Sequence, residues 1–193
     1  MATAGRSEDS ALARTPLGEL LEREPYRFEF FQAVRLLNLL LPDRSPVGRF
    51  VKPAAEVARF RVHPQPSFPA SQIQSLTAVE GGAPAVEVNF MGLVGPLGLL
   101  PLTYSELVLE RERARDHALL DFLDLFHHRM ISLFYAAWEK YRFNLAYERG
   151  ERDRFSRHLL DLIGMGTAGL ENRQEVADDS LLYYGGLVAL HPR

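Results

Sequence analysis

The sequence predicts an α+β fold that is mainly helical, with one long central helix and a small Pro/Gly-rich β segment carrying extended loops. Nine of the twelve prolines lie between Pro42 and Pro101, and none between Leu102 and His191. Proline lacks a backbone donor and clashes inside a helix, so the first stretch should hold strands and loops and the second helices. The apolar spacing agrees: it has period two over 57–62 and follows the helical repeat over 117–142.

The elements follow in order. Residues 16–24 can form a short helix that Pro25 ends. Residues 28–41 make a strong amphipathic helix, because Phe30, Phe31, Val34, Leu37 and Leu41 recur at helical spacing until Pro42 stops it. Residues 43–53 read as a Pro/Gly-punctuated loop. Strands are expected at 57–62, at 72–80 on the alternation of Ile73, Leu76 and Val79, and at 85–91, where Val86, Val88 and Phe90 share one side. Gly81-Gly82-Ala83-Pro84 is a turn signal between the last two. An apolar loop spans 92–101. Thr103 and Glu106 have the spacing of a capping box for a helix starting near Tyr104, and Glu110 with Arg113 and Glu112 with Arg115 can pair on its exposed face. A long helix should run from about Asp116 to about Phe143. A charged turn around Gly150 follows, then a helix over 155–163 and a last helix from Asp178 or Asp179 to about Leu190.

The resulting organisation is an N-terminal arm over 1–24, disordered or a short helix, and a domain over 25–193. That domain divides into a β/loop insertion at 57–102 and a helical part at 103–193.

Placed on a helical wheel, His117, Asp121, Asp124, His128, Ser132, Tyr135, Glu139 and Arg142 fall on one narrow stripe. Nearly everything else in the long helix is apolar, including Phe126, Met130, Phe134 and Trp138. A helix of this kind is buried on most sides, either as the centre of its own domain or beneath other chains.

Several function classes are poorly supported. The chain has no Cys, which excludes disulfides, Cys-ligated metals and a thiol nucleophile. Its net charge is −3 and its pI about 6.1, unlike a protein that binds nucleic acid by neutralising many phosphates. Of its 22 basic residues only Lys52 and Lys140 are lysine; the arginine excess reflects either codon usage or a contact-rich surface. The N-terminus has no apolar segment of a secretory signal, and the most apolar stretch carries too many charged groups to span a bilayer, so no direct membrane insertion and a cytoplasmic location are expected.

Asp124, His128 and Ser132 are the residue types of a hydrolase triad, but at i, i+4, i+8 they string along one helix about 6 Å apart instead of converging. His117 and His128 sit about 16 Å apart along the axis, too far to share a metal without a second ligating helix. A hydrogen-bonded or solvated stripe explains both sets better. The Gly-rich segments at 92–98 and 164–169 lack the partners of a phosphate loop or dinucleotide fingerprint. No catalytic, cofactor-binding or metal-ligating residue is therefore assigned. The better lead is the apolar loop, where Val94, Leu97, Leu99, Leu100 and Leu102 sit among glycines and prolines. Such a loop is either tucked onto its own core or docked on a partner.

Collinear motifs carry a resemblance. They are Tyr26-Arg27-Phe28-Glu29-Phe30-Phe31-Gln32-Ala33-Val34-Arg35-Leu36-Leu37; Ser67-Phe68-Pro69-Ala70; Val88-Asn89-Phe90-Met91-Gly92-Leu93; Leu100-Pro101-Leu102-Thr103-Tyr104-Ser105-Glu106; and Arg115-Asp116-His117-Ala118-Leu119 through Asp121-Phe122-Leu123-Asp124-Leu125-Phe126-His127-His128-Arg129 to Arg142. Together they resemble the TssG (ImpH/VasB) family of type VI secretion baseplate subunits from about Pro25 onward. Thr103, Ser105 and His127 depart from the His, Thr and Asn expected there. Members of that family continue well past a motif like Leu182-Tyr183-Tyr184-Gly185-Gly186-Leu187, so the resemblance implies the N-terminal part of a subunit continuing beyond 193.

The resemblance implies a structural, non-enzymatic protein of the baseplate wedge. Such a subunit joins two copies of TssF, docks onto TssK trimers, lies near TssE and the spike hub, and supports the sheath. Its expected place is the cytoplasmic side of the inner membrane complex. The alternatives are a hydrolase using Asp124, His128 and Ser132, or a generic helical adaptor. Burial logic, not a family motif, selects the partner-binding residues. Phe126, Met130, Phe134 and Trp138 are expected on a helical bundle with TssF. Phe68, Ile73, Val94, Leu97, Leu99, Leu100 and Leu102 are expected on loops facing TssK.

Overall fold

The computed structural model describes residues 12, 15–79, 81–150, 154–167, 169–170 and 173–189. They form an α+β structure of seven α-helices and one three-stranded sheet. The chain divides into two units, residues 1–140 and 141–193.

In the first unit, α1 (Pro16–Arg23) is capped by Thr15, whose hydroxyl accepts the Gly18 N–H at 3.1 Å. Pro25 then starts a single 3-10 turn, and α2 (Phe30–Leu40) follows. The helical spacing read from the sequence is the buried face of α2: Phe30, Ala33, Val34 and Leu37 are almost wholly inaccessible. The loop after α2 is pinned at its base, where the Val57 N–H donates to Ser45 O and the Ser45 N–H to Ala55 O. Val47 in its middle is fully buried.

The sheet comprises β1 (Arg59–Val62), β2 (Ile73–Thr77) and β3 (Ala85–Val88), in the order β1-β3-β2. β1 runs parallel to β3 and β2 antiparallel to it. Each strand is shorter than its apolar pattern suggested. Phe60, Val62, Ile73, Leu76, Val86 and Val88 alternate into a core shared with α2 and with Ile131 and Tyr135. Aromatic rings fill the space between helix and sheet: Phe30 lies 5.5 Å from Phe60 and 4.8 Å from Phe90, and Phe31 stacks on Trp138 at 4.5 Å.

The helices of this unit are completed by α3 (Leu102–Arg113) and α4 (Ala118–Glu139). The predicted capping box is not formed. α3 begins two residues earlier, with the extended Pro101 as its cap and no side-chain bond at that end. Glu112 pairs with His117 at 2.8 Å, and Arg111 lies 3.7 Å from Asp116 across the helix end. The long helix is also shorter than predicted, since the chain leaves helical geometry at Arg142 before continuing.

The second unit contains α5 (Phe143–Glu148), α6 (Arg154–Leu162) and α7 (Asp178–Ala189). Phe143 stacks on Phe155 at 4.4 Å, and the Tyr147 hydroxyl donates to Asp179. A Cβ on Gly185 would fall 2.5 Å from the Ile163 side chain, so α7 comes close to the end of α6 through a glycine. Leu187 is exposed and Leu181 and Leu182 half-buried. The charged turn expected over 148–153 and the predicted end at Leu190 lie partly outside the described residues.

Candidate interaction surface built on an inverted helix

β1 is an edge strand, and its amides alternate in direction. Arg59 and His63 donate to Pro84 and Val88 on the β3 side. Phe60 and Val62 therefore point their N–H groups away from the sheet, where an unpaired edge would be left. The polar stripe of α4 takes the place of a further strand. The Phe60 N–H donates to His128 Nδ1 at 3.2 Å, and the Val62 N–H to Asp124 Oδ1 at 3.4 Å.

The same stripe gathers two loops. His127 Nε2 accepts the Leu93 N–H at 3.0 Å, and its Nδ1 donates to Asp124 Oδ1 at 2.9 Å. Glu56, which precedes β1, is almost fully buried. It faces His128 Nε2 at 3.3 Å, accepts from the Ser132 hydroxyl at 3.5 Å, and accepts the Gly48 N–H at 3.3 Å. Each histidine accepts a backbone N–H on one nitrogen, so its proton sits on the other, the one facing a carboxylate. The two neighbouring rings are thus held in opposite tautomers, His127 protonated on Nδ1 and His128 on Nε2. This network joins α4, β1, the Leu93 loop and the Gly48 loop at one place.

Gly48 fits there for a geometric reason. Its φ is +79°, and a Cβ would lie 2.6 Å from Ser132 O. Gly48→Ala should therefore lower stability by about 2 kcal/mol or more, read as a fall in thermal midpoint.

The consequence for α4 is a partial inversion of the usual amphipathic arrangement, its polar residues sharing the buried side with Leu123, Ile131 and Tyr135. Asp124, His127, His128, Ser132 and Glu139 are at most 8% exposed, whereas Phe122, Leu125, Phe126, Leu133 and Phe134 are 40 to 57% exposed. Of the stripe expected to be solvated or hydrogen-bonded, Asp124, His128, Ser132, Tyr135 and Glu139 are buried while His117, Asp121 and Arg142 are exposed, and the helix expected to be covered on most sides has an exposed apolar face among the described residues. At about 100° per residue Phe122, Leu125, Phe126 and Leu133 fall within an arc of roughly 100°, with Phe134 at its margin beyond buried Leu123. A contiguous apolar strip of this kind on a surface is a candidate interaction site.

Residues 24–193 match the family model described as Type VI secretion, TssG. The chain belongs to the TssG family. No curated protein and no solved structure matches it.

In this TssG chain the predicted contact residues separate by burial. Phe126 and Phe134 lie on the bare face of α4, Met130 is half-buried beside it, and Trp138 is half-buried against Phe31. The apolar loop divides between residues tucked onto their own core and residues that project outward. Val94 is buried with Val108 and Leu123, Leu100 packs against that cluster, and the Gly95 N–H donates to Ser105 at 3.0 Å. Leu97, Leu99 and Leu102 project outward, Leu99 at 82% exposure. Phe68 is 86% exposed, while Ile73 is fully buried in the sheet core. Phe68 also borders an open cleft lined by His63, Gln65, Gln74, Asn89 and Pro96. Ile73 and Val94 thus hold the loops from below and present no surface.

Sequence reasoning missed Glu56 and Phe50. Glu56 is an acid set in an apolar run between Ala55 and Val57, and that isolation was the available signal. Phe50, in the loop after α2, is 99% exposed and was hidden among the prolines and glycines around it.

Among the described residues no group of three or more acidic or histidine side chains is placed to hold a metal ion, and no helix is long and apolar enough to cross a membrane.

Proposed function

We propose that this chain is a structural subunit of the type VI secretion baseplate wedge, acting in the cytoplasm on the baseplate docked at the inner membrane complex. In this reading it bridges two copies of TssF through the bare face of α4 and docks TssK trimers through its apolar loops, beside TssE, the spike hub and the sheath. The observation that carries the reading is the inversion of α4. Exposing several large apolar side chains along one helix is unfavourable by about 25 cal/mol for each Å² left in water, and a subunit interface removes that penalty.

A structural role, not a catalytic one, also accounts best for the polar stripe. Asp124, His128 and Ser132 are buried, and each is bonded to a strand or loop of its own domain. Asp124 contacts His127 and not His128, so the triad order is not made. The same residues that would have served a hydrolase hold the helix to the sheet edge.

Phe126→Asp combined with Leu133→Asp tests the reading. Both side chains are about half exposed, so the fold should melt as before. Co-purification with co-expressed TssF should fall by at least about 100-fold, because two carboxylates would be left dry in an apolar contact. Undiminished recovery of TssF would rule the helix out as that interface.

A further inference from the structure

The bare face of α4 is interrupted by one charged residue. Within the exposed arc of the helix, Phe122, Leu125, Phe126 and Leu133 surround Arg129. Its guanidinium donates to Arg49 O at 3.4 Å and lies over the Phe50 ring, 5.3 Å from the centroid. Gly48 holds this loop directly against Ser132 and Ala136. Phe50 therefore stands beside the helix and widens the apolar strip, with Arg129 between ring and strip.

We propose that Arg129 and Phe50 set the register of the subunit helix that packs along α4, and that this helix presents one carboxylate to Arg129 within an otherwise apolar contact face. The inference rests on the reading of α4 as an interface and specifies the chemistry of what covers it. A guanidinium has five donors, and a single long bond to a carbonyl leaves most of them to water in the free chain. Covering the strip removes that water, and a desolvated cation with unmet donors is strongly unfavourable. A carboxylate matches the planar fork and restores the balance. One buried charged pair in an apolar helix contact fixes register, because sliding the helices separates the pair.

A second copy of this chain does not supply the match. Between Leu125 and Phe126 the arc carries no acid, and a two-fold contact centred on Arg129 would bring the two guanidiniums together, while one centred on Leu125 would have to take Asp121 from Arg61. Asp121, the nearest exposed carboxylate on the helix, lies off the arc and 3.9 Å from Arg61. Charge complementarity thus selects a different chain with an acid-bearing amphipathic helix.

The test uses the full chain co-expressed with TssF, with affinity measured on the purified pair. Arg129→Glu should weaken the complex by at least about 30-fold without changing the melt. Phe50→Ala should weaken it by about 10-fold. One Asp→Arg or Glu→Arg change in the partner should bring Arg129→Glu back to within about threefold of the parent affinity. An Arg129→Glu chain that binds within threefold of the parent, or the failure of every acid reversal to rescue it, would overturn the proposal. If Phe126→Asp with Leu133→Asp abolishes binding while Arg129→Glu does not, the interface stands and the register inference falls. If neither change weakens binding, the interface reading falls and the inference with it. A dimer of this chain, seen by sedimentation and dispersed by Leu133→Asp, would assign the face to a second copy and also overturn the proposal.

Discussion

Asp124→Ala should remove a large part of the stability of the unit built on the sheet. The change strands the Val62 N–H and the His127 Nδ1–H and removes the carboxylate 3.8 Å from the half-exposed Arg61 guanidinium. Breaking a buried charged group out of its network typically costs about 3–5 kcal/mol, against a total stability of roughly 5–15 kcal/mol for a domain. Denaturant titration followed by circular dichroism reads the loss directly. Asp124→Asn keeps an acceptor for the Val62 N–H and should lose less than half as much. An alanine variant with the parent's midpoint would mean that α4 is held to the sheet edge by packing alone.

The second large effect concerns partner recovery and not stability. Phe68→Asp with Leu97→Asp and Leu99→Asp should abolish co-purification with TssK while the chain melts at its usual temperature. All three side chains are at least half exposed, so no core contact is lost. Leu100 is left intact because it packs on the Val94 and Val108 cluster, and changing it would mix a folding defect into the result. Burying three carboxylates in a dry contact costs several kcal/mol, enough to take a micromolar complex beyond detection. Undiminished recovery of TssK would remove these loops from the interface.

Much of the fold was legible because it depends on local rules. The proline-free second half is helical, the alternation at Phe60 and Val62 marks a strand, and the helical spacing of Phe30, Val34 and Leu37 is a buried face. Boundaries drifted where one residue changed the local geometry. α3 starts at Leu102, ahead of the expected Thr103 cap, and the turn at Arg142 ends the long helix before the expected Phe143 and starts a short helix that the spacing did not signal.

The candidate surface was only half legible. The wheel separated the polar and apolar sides of α4 correctly but gave no direction to either. Periodicity states which residues share a face and says nothing about what that face meets. The usual inference puts the polar face in water, and here it fails because β1 is an edge strand whose outward amides need acceptors. Asp124 and His128 satisfy that need beside buried Leu123, Ile131 and Tyr135, and the apolar residues of the opposite side, Phe122, Leu125, Phe126 and Leu133, are turned outward as a result.

By itself, then, the sequence determined the fold class, the family and the set of large apolar residues available for contact. Those follow from spacing, composition and motif order along the chain. Only the tertiary structure decided which of them are free. It buried Ile73 and Val94, exposed Phe50, and turned Asp124 and His128 of α4 inward, because the outward amides of an edge strand need acceptors where water is excluded.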